Sequence, residues 1–231
     1  MEEILREGFA ALNVTAPEES YGNLRRYWEL LEEKNKVMNL TAITGEEECA
    51  RQHFLDCGAL LSVEELAGKK CIDVGSGAGF PGLVLKILEP SMELTMLDSL
   101  GKRVDFQKEV CAALGLNCEC IHGRAEEMEE LRGQFDVATS RAVAKLNMLA
   151  ELCLPFVKKG GVFLAMKGPE PEEEIAEAKK AIRTLGAEVE RVVKYPLPGT
   201  DAVHSVVVLR KTGDTPPKYP RRWAKIKATP L

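Results

Sequence analysis

The residues with the clearest capacity for chemistry lie between positions 73 and 126. The run DVGSGAGFPG (73–82) places Gly75, Gly77 and Gly79 at alternate positions, and residues without a Cβ let the backbone turn sharply and approach a ligand closely. Pro81 suits the first turn of a helix beginning there. Asp73 puts a carboxylate two residues ahead of the first glycine, where it repels a pyrophosphate but can pair with an ammonium group. Asp98 ends an apolar run 23 residues beyond Gly75, the place where a carboxylate accepts hydrogen bonds from two ribose hydroxyls. In GRAEEM (123–128), the backbone N–H of Ala125 and a side-chain oxygen of Glu126 are suited to an adenine, although Glu126 equally suits the first turn of a helix. A second frame, Gly77, Gly79 and Gly82, matches GxGxxG, and on that spacing alone the loop would serve a dinucleotide. NAD and S-adenosylmethionine both carry the ribose diol. The residues therefore leave two ligand classes open, with Asp73 favouring the one that has a cationic amino-acid end.

These groups act together only if strands and helices carry them to one edge. From Lys70 onward, short apolar runs alternate with amphipathic segments, the pattern of βα units around a parallel sheet. The pattern predicts strands over 70–75, 93–98, 118–122, 135–140 and 161–167, and helices over 80–89, 101–115, 144–157 and 171–186. Gly115 and the Gly160-Gly161 pair mark helix ends. Two further strands, 188–195 and 203–210, are joined by too few residues for a crossover helix, so they form an antiparallel hairpin. The first 65 residues read as helical, with Leu24, Tyr27, Trp28 and Leu31 at helical spacing as a core-facing stripe. The fold class is α/β: a Rossmann-like sheet of parallel strands closed by a C-terminal antiparallel hairpin, with helices on both faces. It divides into an N-terminal helical extension packed on the core (1–65), a ligand-binding domain (66–211) and a basic Pro-rich tail (212–231).

Composition narrows the class further. With 45% hydrophobic and 29% charged residues, the chain is neither disordered nor fibrous, and no run nears the length of a membrane span. The start, MEEILREGFA, lacks the basic and apolar regions of a signal peptide, so a cytoplasmic protein with no membrane partner is expected. Seven scattered cysteines without a CxxC pair fit reduced thiols, and His53, His122 and His204 offer no zinc-type spacing, so no metal is expected. The net charge of −5 argues against a nucleic-acid partner until it is divided. Residues 210–231 hold seven basic residues and one acidic residue (+6), while the others hold 24 and 35 (−11). A polyanion docking at the basic end would explain the asymmetry, as would a solvated terminus.

The runs NLTAIT, HFLDCGALL, IDVGSGAGFPGLVL, LDSLGKRVDFQKEV, GRAEE, SRAVAKL and MKG occur here in that order. They resemble the class I S-adenosylmethionine-dependent methyltransferases and, within these, the ribosomal RNA small-subunit methyltransferase G family, also called glucose-inhibited division protein B. The resemblance is dense over residues 35–168 and looser elsewhere. The tail departs from the family pattern: Arg221, Arg222, Trp223 and Ala224 stand where basic residues followed by Ala-Gly are expected. The resemblance implies that 66–211 binds S-adenosylmethionine through Gly75, Phe80, Ala125, Glu126 and Arg141. It also implies transfer of the methyl group to N7 of a guanine in the decoding-region loop of 16S ribosomal RNA. The partner expected is that RNA or the small ribosomal subunit, and a monomer is expected.

Guanine N7 has a free lone pair and no proton, so in-line attack needs alignment rather than a general base, and positioning can supply on the order of 7–11 kcal/mol. No catalytic acid or base is then expected. Guanine O6 and N7 are natural acceptors for Arg or Lys. Arg141 and Lys167, each just past a strand end, are candidate positioning residues, as is His53; each is also a plausible structural ion-pair or core residue. Arg25, Arg26, Lys218, Arg221 and Arg222 are candidate phosphate contacts. Two other readings stay open: a nucleotide-binding, NAD-type oxidoreductase using the second glycine frame, and a non-catalytic RNA-binding protein on the same fold.

Overall fold

Among the described residues, seven strands form a single sheet: β1 (Lys70–Val74), β2 (Glu93–Asp98), β3 (Cys118–His122), β4 (Phe135–Arg141), β5 (Val157–Lys167), β6 (Ala187–Pro196) and β7 (Val203–Lys211). This computed structural model describes residues 1–141 and 144–231; positions 142 and 143, inside the SRAVAKL run, lie outside the described residues. The strand order is β3-β2-β1-β4-β5-β7-β6. The first five strands run parallel, whereas β7 is antiparallel to both β5 and β6. Chain order reverses between β1 and β4, so the crevice of the sheet opens at the carboxyl ends of these two strands.

Alternation along the strands divides the interior in two. On β5, Val162, Leu164 and Met166 enter one cluster, which also holds Leu5, Phe9, Leu24, Tyr27 and Phe54 from the N-terminal helices. Phe163 and Ala165 face the other cluster, with Leu149, Phe156, Ile182 and Tyr219. The helix Glu18–Met38 is anchored by Leu24 and Tyr27, both fully buried, each such side chain contributing roughly 1.5–3 kcal/mol. Residues 46–63 stay helical but pass through a π turn at Ala50–Leu55. Both Cys118 and Cys120 pack against the first cluster, as same-face residues of a strand should.

Two local expectations are corrected. Gly160 and Gly161 do not end a helix. That helix runs Leu146–Cys153, and the glycines lie within β5, where the β4–β5 register shifts. A Cβ on Gly161 would come within 2.5 Å of the Asp136 carbonyl, so the strand needs a glycine to pass its neighbour there.

Nor is the basic Pro-rich tail simply a solvated terminus. Tyr219 and Ile226 are buried, Trp223–Ala228 forms a helix, and Arg221 sits on Glu151. Glu151 is fully buried, and its oxygens accept from Arg221 Nε (2.8 Å), Nη2 (2.6 Å) and the backbone N–H (2.8 Å). The sequence signal was ambiguous because a basic Pro-rich terminus reads as solvated unless a buried acid elsewhere claims one of its cations. Removing one partner of a buried pair leaves an uncompensated charge. We therefore expect Arg221→Ala to destabilise the protein by about 3–5 kcal/mol in urea unfolding, and Glu151→Gln with Arg221→Ala to recover much of that loss.

Candidate active site

At the carboxyl ends of β1 and β2, the chain encloses a cavity of about 500 Å³, within the range of ligand sites. Gly75, Gly77, Phe80, Asp98, Ala125, Glu126, Arg141 and His53 all line it, so these sequence candidates converge on one space.

The glycine loop shapes one wall. The Gly75 N–H donates to the Leu97 carbonyl (2.8 Å), tying the loop to β2. Gly77 has φ +58° and would place a Cβ against nothing nearer than a carbonyl at 4.0 Å, so its open side faces ligand space. Gly79, at φ +106°, and Gly82 are in addition held to glycine by packing. A Cβ on Gly79 would strike Leu83 and approach the Tyr27 hydroxyl at 2.8 Å, and one on Gly82 would meet Asp73 Oδ2 at 2.9 Å. The GxGxxG frame is thus largely a packing requirement. From behind, the Tyr27 hydroxyl donates to the Ala78 carbonyl (2.6 Å), and Gln107 Nε2 donates to the Gly77 carbonyl (2.7 Å) and Ser76 Oγ (2.8 Å).

Asp73 does not reach the cavity. It is fully buried, with Oδ2 accepting from the Gly82 N–H (2.9 Å) and Oδ1 within 3.2 Å of the Thr139 hydroxyl. The expectation that its carboxylate meets an ammonium group is corrected: Asp73 points back at the start of the Gly82–Leu88 helix and caps it. Burial pushes its carboxyl up to about 7.

Asp98 does reach the cavity. Oδ2 accepts from the Gly77 N–H (2.8 Å), Oδ1 accepts from the Leu100 N–H (2.9 Å), and Arg103 lies 3.7 Å away. A carboxylate has about four lone-pair sites, so acceptor capacity remains on an already fixed group. Ala125 and Glu126 stand in a 3₁₀ turn rather than an α-helix. Glu126 accepts from the backbone N–H of Trp223 (3.3 Å).

The opposite wall is an aromatic and cationic stack. Phe80 packs against His53 (centroids 4.2 Å apart, 18° between planes) and Tyr27 (5.4 Å), with the Arg141 guanidinium 4.8 Å from its ring centre. Arg141 Nη2 donates to His53 Nδ1 (2.8 Å), and His53 Nε2 lies 2.9 Å from Thr41 Oγ1. Arg only donates, so His53 Nδ1 is the acceptor and the imidazole is the neutral Nε2–H tautomer. Burial and the Arg141 charge push the His53 pKa down to about 3. Arg141 also reaches Asp56 Oδ2 (3.4 Å), while Asp56 Oδ1 accepts from Tyr195 (2.8 Å) and His204 Nδ1 (2.6 Å). His204 is consequently raised and Asp56 lowered from their ordinary values.

The remaining candidates are elsewhere. Lys167 does not line the cavity; it pairs with Glu174 (2.7 Å) and donates to the Ala144 carbonyl (2.9 Å), bracing β5 against the helix Glu172–Thr184. Arg25 and Arg26 are exposed and near Glu29. Lys218 and Arg222 are exposed, but Arg221 is committed to Glu151, which corrects its place among the phosphate contacts. Sequence reasoning missed Tyr27 as a loop brace, and also Gln107, Asp56, His204 and Trp223. Only the His53–Asp56 spacing in HFLD carried a signal. Among the described residues no His, Cys, Asp and Glu cluster suits a metal ion, and no helix is long and apolar enough to cross a membrane.

Comparison with known proteins adds to this geometry. A family model described as rRNA small subunit methyltransferase G matches residues 20–199. Ribosomal RNA small subunit methyltransferase G of Alkaliphilus oremlandii is 45% identical over 100% of this chain and 99% of its own. The protein of that name from Clostridium botulinum (strain ATCC 19397 / Type A) is 43% identical over 99% and 98%. Among solved structures, a SAM-dependent methyltransferase from Aquifex aeolicus superposes with a TM-score of 0.52 at 20% identity, covering 70% of this chain and 92% of that one. M. jannaschii TYW2 in complex with AdoMet gives a TM-score of 0.52 at 15% identity, covering 62% and 69%. These likenesses establish the Rossmann-like methyltransferase fold.

The His53 environment predicts a pH signature. Between about pH 6.5 and 3 the unfolded chain binds a proton at His53 that the folded chain refuses, so this residue subtracts stability as pH falls. Relative to His53→Gln, the unaltered protein should lose about 1.4 kcal/mol more per pH unit over that window. Denaturant titrations at pH 7, 6, 5 and 4 measure the difference, and parallel pH curves would show that His53 is not held neutral.

Proposed function

Since the chain belongs to the rRNA small subunit methyltransferase G family, we propose that it methylates N7 of a guanine in the decoding-region loop of 16S rRNA, using S-adenosylmethionine. One observation carries the cofactor assignment: an open-faced Gly77 and an immobilised Asp98 with spare acceptor capacity line one cavity together with Ala125 and Glu126. Gly77 lines that space and a Cβ there would meet no protein atom nearer than 4.0 Å, so the residues fit a ligand lying against the backbone. When bound, S-adenosylmethionine supplies a methyl group on a sulfonium. Gly75, Gly77 and Phe80 would hold its amino-acid end, Asp98 its ribose diol, and Ala125 with Glu126 its adenine.

The residues opposite suit alignment without proton transfer. The His53 Nδ1 lone pair is used by Arg141, so His53 is poorly disposed to act as a base. The Arg141 guanidinium, fixed by His53, Asp56 and the Gln52 carbonyl (3.2 Å), keeps N–H groups for guanine O6 or for RNA phosphate. Exposed Lys218, Arg222, Lys225 and Lys227 add positive charge for an RNA backbone, and Arg25 and Arg26 can extend it.

A dinucleotide is disfavoured by Asp73. A pyrophosphate binds at a helix N-terminus, and here a buried carboxylate caps that position. At 100 times its dissociation constant, S-adenosylhomocysteine should stabilise the protein by about 2.7 kcal/mol, and NAD should not. Gly77→Val should fold yet lose this shift. In cells lacking the protein, mass analysis of 16S rRNA should find the guanine unmethylated, with an unaltered copy restoring N7 methylation and the Gly77→Val copy failing. Full N7 methylation in the deletion strain would overturn the proposal.

A further inference from the structure

We infer that Trp223, carried by the C-terminal tail, is a cofactor-contacting residue that forms the adenine-end wall of the cavity; the inference rests on the S-adenosylmethionine reading above. Trp223 lines the cavity, and its backbone N–H donates to Glu126 Oε1 (3.3 Å), which places the residue beside the Ala125–Glu126 turn. Its side chain packs against the second core cluster, to which the cavity-lining Leu149 and Leu152 also belong. Trp223, these two leucines and the turn all line the space, an apolar surround with the Glu126 carboxylate beside it. That combination suits an aromatic base bearing an exocyclic amino group.

The tail is held in this position by construction. Two residues before Trp223, Arg221 is clamped to fully buried Glu151, and three residues after it Ile226 is fully buried. These anchors leave little freedom for the residue between them. The basic tail then has two separable duties: exposed cations for a polyanion on its outside and a wall of the cofactor cavity on its inside. Deleting residues 212–231 should accordingly impair cofactor binding as well as RNA binding, whereas the charge pattern of the sequence pointed to RNA alone.

The test uses the full-length protein and S-adenosylhomocysteine as the probe, with titration calorimetry for affinity and intrinsic fluorescence for location. The chain has two tryptophans, Trp28 and Trp223. Ligand should change the fluorescence of the Trp28→Phe variant as it does that of the unaltered protein, and should leave that of Trp223→Phe unchanged. Trp223→Ala should weaken binding roughly five- to a hundred-fold, the range that loss of a base–aromatic stack spans, and Trp223→Phe should restore most of it. Circular dichroism of each variant keeps loss of fold distinct from loss of contact. If the unaltered protein fails to bind S-adenosylhomocysteine, the cofactor reading itself falls. If it binds and Trp223→Ala binds equally well, only the Trp223 assignment falls. A folded Trp223→Ala with unchanged cofactor affinity but raised KM for rRNA would move the residue to the substrate side and overturn the proposal.

Discussion

A buried carboxylate governs the middle of this molecule. Asp73 lies at the centre of the sheet, where it caps the helix Gly82–Leu88 and meets Thr139 of the neighbouring strand. Its reach from β1 back to that helix fixes the length and curvature of the eight intervening residues, and so the direction in which Gly75 and Gly77 expose their backbone. Taking a carboxylate out of water is costly, and the rise of its pKa to about 7 expresses that cost. The hydrogen bonds it receives offset part of it and leave the loop one stable course.

Every other part of the site is set relative to that loop. Tyr27 reaches from the N-terminal helical region to the Ala78 carbonyl, and Gln107 reaches to Gly77 from the following βα unit. Asp98 holds the Gly77 N–H from β2. Side chains from distant stretches of chain thus converge on a few backbone atoms, which pre-organises the loop and limits the entropy lost when a ligand settles on it. The helical region before the sheet is for this reason part of the site. Removing Tyr27 would leave the Ala78 carbonyl without its partner and Phe80 without one of its stacking neighbours.

The opposite wall illustrates how charge is made usable in a partly buried cleft. Arg141 is held by a neutral imidazole, a carbonyl and a carboxylate that is itself shared with Tyr195 and His204. A guanidinium bound in this way keeps its charge and its orientation while retaining donors. The methyl transfer to guanine N7 proposed above would ask for that kind of fixed geometry and not for a proton acceptor. The acidic body and the basic tail follow a similar division, since part of the tail's charge is spent internally on Glu151 and part remains at the surface.

The sequence by itself determined the sheet, its parallel and antiparallel parts, and the residues gathered at its carboxyl edge, because strand alternation, βα rhythm and glycine spacing are local properties that survive in one dimension. Gly75, Gly77, Asp98, Ala125 and Glu126 were legible for that reason. What only the tertiary structure decided was direction and partnership. Asp73 turns inward instead of toward the cavity, Lys167 braces a helix, Arg221 is claimed by Glu151, and Gly160 and Gly161 bend a strand instead of ending a helix. Trp223 becomes a cavity wall although nearly a hundred residues separate it from Glu126. A residue type and its spacing state what a side chain can do; which neighbour it meets depends on burial and on contacts between distant segments, and these exist only once the chain has folded.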